Sequence, residues 1–371
     1  MSVSKENILD ALKRVFYPDQ EKDIVEGAMV SNVDVHGDHA HIFITLPANS
    51  PFVGGIRKAC NQVLTEVFGK EFKADLQIGT KIPEKQQGPH PLKDGEVFPH
   101  VKHIVAISSG KGGVGKSTVA VNLSVALAKK GFKVGLLDAD VYGPSVPKMF
   151  HLENFTPKVS GEDATKAIVI PPEQYGVKLL SIGFFVQPDS PLVWRGPMAT
   201  SAIRQLIVDA AWGELDYMLI DLPPGTSDIH LTLVQTVAIT GAIIVSTPQD
   251  VALLDVQKGI AMFRDEKINV PVLGLVENMA WFTPDELPDN KYYIFGKDGC
   301  QKLADKYNVP LLGQIPLVQS IREGGDSGTP AALDEHSIIG KAFADLADKL
   351  VDRVNHRLIN VAPTKKVEMQ R

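Results

Sequence analysis

The fold of this chain is decided by the stretch Ser108-Ser109-Gly110-Lys111-Gly112-Gly113-Val114-Gly115-Lys116-Ser117-Thr118. It contains the pattern G-x-x-x-x-G-K-[ST], in which glycines let backbone N–H groups turn inward around an anion. The stretch follows an apolar run, Ile104–Ile107, and opens a segment with helical spacing of apolar residues. This context favours a phosphate-binding loop over a chance glycine-rich turn, because a helix N-terminus adds partial positive charge.

The residues of this loop have individual expected contacts. Lys116 would reach the β- and γ-phosphates of a nucleotide, Ser117 would ligate Mg²⁺, and Thr118 would add a hydroxyl near the phosphates. The predicted nucleotide-binding residues of the loop are Gly110, Lys111, Gly112, Gly113, Val114, Gly115, Lys116, Ser117 and Thr118.

A second lysine, Lys111, directly follows the first glycine, where an ordinary phosphate-binding loop needs none. The pattern K-G-G-x-G-K-[ST] resembles the deviant Walker family, which includes MinD, ParA, the arsenite-pump ATPases and nitrogenase iron proteins. The resemblance implies that Lys111 reaches across a homodimer interface to the partner's nucleotide. A second cation near the γ-phosphate would stabilise transition-state charge, as an arginine finger does. The alternative is a solvated surface lysine.

Two apolar, strand-like runs end in aspartates. Asp138-Ala139-Asp140 follows Val134–Leu137, and Asp221 follows Tyr217–Ile220. Carboxylates beyond the C-terminal end of a parallel strand face the ligand crevice of an open α/β sheet. Similarity to the deviant Walker switch region implies that Asp140 orients the attacking water. Asp138 and Asp221 are predicted to hold Mg²⁺ together with Ser117. Alternatively, Asp138 caps the next turn.

Two further residues complete the predicted nucleotide site. Gly225 is placed to offer its backbone N–H to the γ-phosphate, which predicts that its loop acts as a switch. For Asp228 in the same loop, the alternative to a role in the site is the cap of a helix. Asn278 follows another apolar run, and its amide can both donate and accept at the edge of adenine. The alternative for Asn278 is a turn residue at a strand end.

The sequence predicts an α/β fold in which helices flank a mostly parallel sheet, as in P-loop NTPases of the deviant Walker type. It also predicts a small N-terminal α+β domain. The predicted parts are a small domain at 1–80, a linker rich in Pro, Gly and charge at 81–102, the P-loop ATPase domain at 103–358 and a polar tail at 359–371. The small domain has helical spacing over Ser4–Phe16 and Gly55–Phe68, and strand-like runs at Met29–Val35, Ala40–Leu46 and Phe72–Ile78. The large domain has buried-strand runs at Ile104–Ile107, Val134–Leu137, Tyr217–Ile220, Ala242–Val245, Val272–Val276 and Leu311–Gln314. Residues 151–180 interrupt this alternation, which predicts an inserted loop or hairpin.

Composition restricts the environment and the partners. The formal net charge of −6 argues against nucleic acid as a partner, because phosphate backbones select basic surfaces. The N-terminus lacks the pattern of a signal peptide, and no window approaches the roughly 20 apolar residues of a membrane span. The two cysteines are far apart in sequence, so the chain is predicted to be reduced and cytoplasmic. The lack of an apolar window predicts that it has no membrane partner.

Several longer motifs narrow the family. They are Asp138–Ser145, Trp194–Met198, Asp221–Asp228, Glu277–Met279 and Ile321–Asp326, and together they resemble the Mrp/ApbC family of P-loop ATPases. At the N-terminus, Tyr17-Pro18-Asp19 and Ser50-Pro51 resemble the small domain of iron–sulfur assembly factors. The resemblance implies ATP hydrolysis, binding of an iron–sulfur cluster and its transfer to apoproteins. It implies as partners apoprotein acceptors or other iron–sulfur assembly proteins.

The chain departs from this family at the cluster ligands. Carrier members place a Cys-x-x-Cys pair shortly after the Glu-Asn-Met motif, but the stretch Ala280–Lys291 contains no cysteine. Cys60 and Cys300 are predicted to be buried small hydrophobic residues, so the cluster ligands stay unknown. Two alternatives remain, a MinD/ParA-like positioning ATPase and an ATPase that assists another cluster carrier. A nitrogenase-reductase-like electron donor would need two cluster cysteines in the ATPase domain, which has only Cys300.

Overall fold

The chain forms two compact units, Met1–Asp94 and Gly95–Arg371. The computed structural model describes residues 3–18, 22–36, 39–46, 52–69, 72–80, 97–98, 100–160, 168–185, 196–284, 286–287, 289–361, 364 and 366. Predictions that concern Trp194, Ser50 and Pro51, and most of the linker and tail, lie outside these residues. Within them, no helix combines the length and apolar character that crossing a membrane requires.

The N-terminal unit is a small α+β domain, as predicted. Its elements are α1 (Lys5–Leu12), β1 (Val30–His36), β2 (His39–Leu46), α2 (Val53–Phe68) and β3 (Lys73–Thr80). The first two strands form an antiparallel hairpin, and β3 pairs with β2 in parallel. Alternating residues of β2 and the apolar faces of both helices form one core, which includes Ile8, Ile42 and Leu64.

The second unit alternates strands and helices. Its elements are β4 (Val101–Ser109), α3 (Lys116–Lys129), β5 (Val134–Asp138), α4 (Val146–Met149), β6 (Lys158–Ser160), β7 (Ile168–Ile170), β8 (Glu173–Gln174), β9 (Val177–Ser181), α5 (Gly196–Val208), β10 (Leu215–Asp221), α6 (Asp228–Thr236), β11 (Gly241–Ser246), α7 (Asp250–Arg264), β12 (Val272–Phe282), α8 (Gly299–Tyr307), β13 (Leu311–Leu317), α9 (Gln319–Ser327) and α10 (Ile338–Asn360).

Eight of these strands form one sheet in the order β13-β12-β11-β4-β10-β5-β9-β8. Every neighbouring pair is parallel except β8 and β9. The predicted fold class is therefore confirmed. Strand β4 lies in the interior of the sheet, between β11 and β10. The chain first builds the side of β10, β5 and β9, and then crosses to the side of β11, β12 and β13. In open α/β sheets, ligands bind at such a point, outside the carboxyl ends of the strands.

The structure corrects two boundaries that position the site. Residues 151–180 contain the antiparallel pair β6–β7, but they also contain β9, which extends the main sheet beside β5. The predicted hairpin is therefore present, but the same region also adds a strand to the main sheet, which the sequence did not indicate. Strand β12 continues to Phe282 instead of ending at Val276, so Asn278 lies inside a strand and is not a turn residue. Pairing with the neighbouring strands sustains β12 where local sequence periodicity fades.

Candidate nucleotide-binding site

The glycine-rich loop joins β4 to the N-terminus of α3. Gly113 and Gly115 have φ angles of 78° and 82°, which L side chains rarely adopt. A Cβ atom at Gly115 would overlap the amide of Asn278, and a Cβ at Gly110 would overlap the backbone of Asp255 within α7. Both glycines are therefore required for the close approach of the loop to its surroundings.

Lys116 points into a buried cluster of carboxylates. Its Nζ donates to Asp221 Oδ1 at 2.7 Å and to Ser117 Oγ at 3.2 Å. The Oδ2 atom of Asp140 lies 3.7 Å from the same nitrogen. Because Lys116 is only 6% exposed, the cluster is held together in a region of low dielectric. The structure thus brings together Lys116, Ser117 and Asp221, which the sequence assigned to phosphates and Mg²⁺. Asp140, which it assigned to the attacking water, lies in the same cluster.

Asp221 and Asp138 are fully buried at the ends of the neighbouring strands β10 and β5. Burial raises the pKa of the Asp221 carboxyl, while the nearby Lys116 ammonium opposes this shift. Among the described residues, Asp221 Oδ2 has no hydrogen-bond partner. A carboxylate oxygen without a hydrogen-bond partner, next to the Ser117 hydroxyl, provides the oxygen ligands that Mg²⁺ prefers.

Asp138 is engaged differently. Its Oδ2 accepts from Ser181 Oγ at 2.8 Å, and its Oδ1 accepts from the backbone N–H of Asp140 at 3.1 Å. Burial, followed by the charge of Asp221, raises the pKa of the Asp138 carboxyl. Oδ1 therefore holds the turn that carries Asp140, Oδ2 is bonded to β9, and the assignment of Asp138 to Mg²⁺ stays a prediction.

The loop after Asp221 runs alongside the phosphate-binding loop. Gly225, with a φ of 78°, donates its N–H to the carbonyl of Ser109 at 2.9 Å. The N-cap of α6 is Ser227, not Asp228, and its backbone N–H donates to His230 Nδ1 at 3.1 Å. Burial lowers the pKa of His230 to about 4, so its neutral form accepts this bond. The expected contact of Gly225 with a γ-phosphate stays a prediction.

Asn278 lies under the phosphate-binding loop and donates from Nδ2 to the carbonyl of Val114 at 2.9 Å. Beside it opens a cavity of about 390 Å³. The cavity is lined by Gly115, Thr118, Ser145, Lys148, Met149, Asn278, Met279, Pro316, Leu317, Val318, Ile321, Arg322, Gly325 and Asp326. Its size falls within the range of small-molecule sites. Ile321–Asp326, part of a motif that the sequence singled out, thus forms one wall of the cavity.

Lys111 lies apart from this carboxylate cluster. Its side chain is half-buried, and its carbonyl accepts from Ser109 Oγ at 3.0 Å. Within the described part of the chain, Lys111 forms no ion pair, whereas Lys116 pairs with two carboxylates. The second lysine of the motif therefore keeps its charge available for another contact.

Both cysteines are buried, each in a different unit. Burial raises the pKa of the Cys60 thiol to about 12 and raises that of Cys300 as well. The backbone N–H of Cys300 donates to Glu277 Oε2 at 2.7 Å, and Gln314 Nε2 donates to the other oxygen of Glu277. Glu277 thus stabilises the start of α8, a role that the sequence pattern did not indicate. Across the described residues, no group of three His, Cys, Asp or Glu side chains is arranged to hold a metal ion.

The segment after Asn278, where carriers place their cysteine pair, presents aromatic side chains instead. Phe282 ends β12 and pairs with Tyr292 on the returning segment. Lys291 lies over the ring of Trp281, with Nζ 3.9 Å from the ring centroid. These two contacts join the end of β12 to residues 291 and 292.

Known proteins resemble both units of the chain. The family described as NUBPL iron-transfer P-loop NTPase matches residues 100–351, and the family described as iron–sulfur cluster assembly protein matches residues 5–74. The iron–sulfur cluster carrier protein of Synechocystis sp. is 42% identical over 351 residues, which cover 94% of this chain and 97% of that protein. The iron–sulfur cluster carrier protein of Escherichia coli is 49% identical over 326 residues, covering 86% of this chain and 83% of that protein.

A solved structure adds to these similarities. The nucleotide-binding protein from Archaeoglobus fulgidus, determined in complex with ADP, is 40% identical. The similarity covers 63% of this chain and 89% of that one, with a TM-score of 0.55.

Proposed function

This chain belongs to the family of NUBPL iron-transfer P-loop NTPases, and from that premise we propose that it is a Mg²⁺-dependent ATPase of iron–sulfur cluster transfer to apoproteins. The observation that carries the proposal is the position of Lys116, buried between Asp221 and Asp140 at the foot of the phosphate-binding loop. A cation at this point, with a cavity beside the same loop, suits a nucleoside triphosphate.

In this proposal each residue of the site has one role. Lys116 exchanges part of its contact with Asp221 for the β- and γ-phosphates, and the loop N–H groups surround them. Ser117 and the unpaired oxygen of Asp221 would hold Mg²⁺, which when bound neutralises phosphate charge. Asp140 orients the attacking water from the turn that Asp138 fixes. Asn278 contacts the base from the wall of the cavity.

We further propose that two chains form a homodimer in which Lys111 acts on the partner's nucleotide. Lys111 is partly exposed and pairs with no carboxylate among the described residues, which supports a contact of its charge with a second chain. A cation that enters the second site would stabilise the charge that develops on the phosphates. This arrangement makes hydrolysis depend on association.

The thiols of the chain limit which ligands an iron–sulfur cluster could have. Only Cys60 and Cys300 are available, and burial holds both in the protonated form. A metal ligand must be a thiolate, and a cluster takes four of them. We therefore propose that the thiolates around the cluster come from a partner protein, and that this chain supplies the ATP-dependent step of transfer.

Anaerobic reconstitution with iron and sulfide, with and without ATP, tests this division of labour. The isolated chain is expected to hydrolyse ATP and to retain almost no iron. Activation of an apo-aconitase-type acceptor is expected only when a separate cluster-loaded protein is added. The double variant Cys60→Ala/Cys300→Ala should behave in the same way. Stable iron on the wild type that this variant loses would contradict the proposal.

The same assay separates the positioning alternative. If the chain hydrolyses ATP but does not accelerate activation of the acceptor with any combination of partners, the result would favour a MinD/ParA-like role. Absence of ATP hydrolysis under all conditions would overturn the ATPase itself.

A further inference from the structure

Met279 has a φ of 55°, in the left-handed region, although it lies within strand β12. Non-glycine residues rarely adopt this conformation, and a strand does not need it. The ladder to β13 is irregular at the same place. Asn278 pairs with Ile315 and Phe282 pairs with Leu317, so three residues of β12 stand opposite Pro316 alone. Because Pro316 has no N–H to donate, the ladder tolerates the irregularity here.

The irregularity changes where the side chains point. In a regular strand, consecutive side chains lie on opposite faces of the sheet. Asn278 and Met279 are consecutive, yet both line the cavity beside the phosphate-binding loop. The left-handed turn at Met279 is what places both on the same side. The unfavourable backbone conformation of Met279 therefore brings its thioether next to the Asn278 amide.

The position of Met279 within the cavity is close to the loop. Its terminal methyl lies 3.9 Å from the place that a Cβ on Gly115 would occupy. Leu317 and Val318 add apolar surface to the same cavity. A ligand whose phosphates lie in the loop thus meets, next to Gly115 and Thr118, the apolar side chains of this cavity and the amide of Asn278, while Lys148, Arg322 and Asp326 line other parts of it. That combination suits a purine, with an aromatic face and a polar edge.

We propose that Met279 is a specificity-determining residue, whose thioether packs against the face of the nucleotide base. The inference rests on the proposed nucleotide site and adds a residue to it. Sulfur makes favourable contacts with aromatic rings, and methionine adapts to their shape. The strained backbone is retained because a glycine, which would relieve it, has no side chain to offer the base.

The test uses the pair Met279→Ala and Met279→Gly in the full chain. Each variant removes the thioether, and only the glycine also removes the strain. Calorimetry would measure the affinity for Mg-ATP and for magnesium tripolyphosphate, which occupies the phosphate loop but has no base. Both variants are expected to bind ATP about tenfold more weakly and tripolyphosphate unchanged. The glycine variant should melt at a higher temperature than the alanine variant.

Met262→Ala provides a matched control, because Met262 is a half-buried methionine on α7 that does not line the cavity. It should leave both affinities unchanged. Equal ATP affinity in the wild type and both Met279 variants would overturn the inference. An equal loss of ATP and tripolyphosphate would overturn it too, because the loop and not the base would be affected. A wild type that binds neither ligand would instead overturn the nucleotide site on which the inference rests.

Discussion

Lys116 Nζ and Asp221 Oδ1 form an ion pair of 2.7 Å that joins the phosphate-binding loop to the end of the neighbouring strand β10. The two side chains are 6% and 0% exposed, so water contributes little to stabilising either charge. Breaking such a pair leaves a buried charge without compensation, which costs much more than a surface pair contributes. The lysine that is proposed to bind phosphates is therefore also a structural element of the loop.

Replacement of Lys116 is expected to affect binding and stability together. Lys116→Ala should abolish ATP binding and lower the free energy of unfolding by about 3 kcal/mol, with protonation of Asp221 limiting the loss. Calorimetry and denaturant unfolding at pH 7 would measure both. Lys116→Arg, which keeps the charge, should recover most of the stability. An alanine variant with an unchanged unfolding midpoint would contradict the structural role of the pair.

Lys111→Ala is expected to separate binding from hydrolysis. The variant should bind ATP as the wild type does, because Lys111 lies outside its own carboxylate cluster, and it should lose hydrolysis. The loss of an arginine-finger-like cation corresponds to a decrease of about 10³-fold in kcat. Lys258→Ala, which removes an exposed lysine on α7, is the control. Equal hydrolysis rates in Lys111→Ala and the wild type would rule out the action across the dimer.

Two glycines with similar backbone angles should respond very differently to alanine. Gly131 ends α3 with a φ of 89° and open space around it, so Gly131→Ala should cost about 1 kcal/mol and spare ATP binding. Gly115 has a φ of 82° but lies against Asn278. Gly115→Ala should therefore cost more and prevent ATP binding. Comparable unfolding midpoints and ATP affinities in the two variants would show that the contact with Asn278 does not constrain the loop.

His230 should make stability depend on pH below neutrality. Its pKa is lowered to about 4 by burial, whereas an unfolded histidine titrates near 6.5. Between these values the unfolded chain binds a proton that the folded chain does not. This contribution to stability is therefore fully present above about pH 6.5 and decreases by about 1.4 kcal/mol for each pH unit towards 4.

Denaturant unfolding between pH 4.5 and 7 would measure this dependence. His230→Asn should reduce the slope by about one proton, since asparagine offers an acceptor but no titrating group. The exposed His336, changed to Asn, is the control and should leave the slope unchanged. An identical slope in the wild type and His230→Asn would exclude a buried neutral imidazole.

The central sheet and its loop could be predicted because their signals are local. Val134–Leu137 and the runs like it are continuous apolar segments, and the glycine pattern of the loop defines its own geometry. Val177–Ser181 was missed because its five residues include Lys178 and follow a turn at Gly176. Only its pairing with β5 shows that it belongs to the sheet.

The part of the site that sequence did not indicate depends on contacts between distant residues. The φ angle of Met279 results from the ladder opposite Pro316, and the partners of Asp138 include Ser181 on a strand that was not foreseen. Glu277 is bonded to the N-terminus of α8 and to Gln314 on β13. The periodicity of the sequence does not predict such contacts, because each joins elements that are far apart along the chain.

The contact of Lys291 with Trp281 gives the protein an optical reporter of its own. The half-exposed indole lies on β12, two residues beyond Met279, with an ammonium 3.9 Å from its ring centroid. Indole emission changes with the charge and water around the ring, and the indole of Trp212 is buried away from water. A ligand that moves β12 as it fills the cavity should therefore alter tryptophan fluorescence, and the occupancy of the site could be followed without any label.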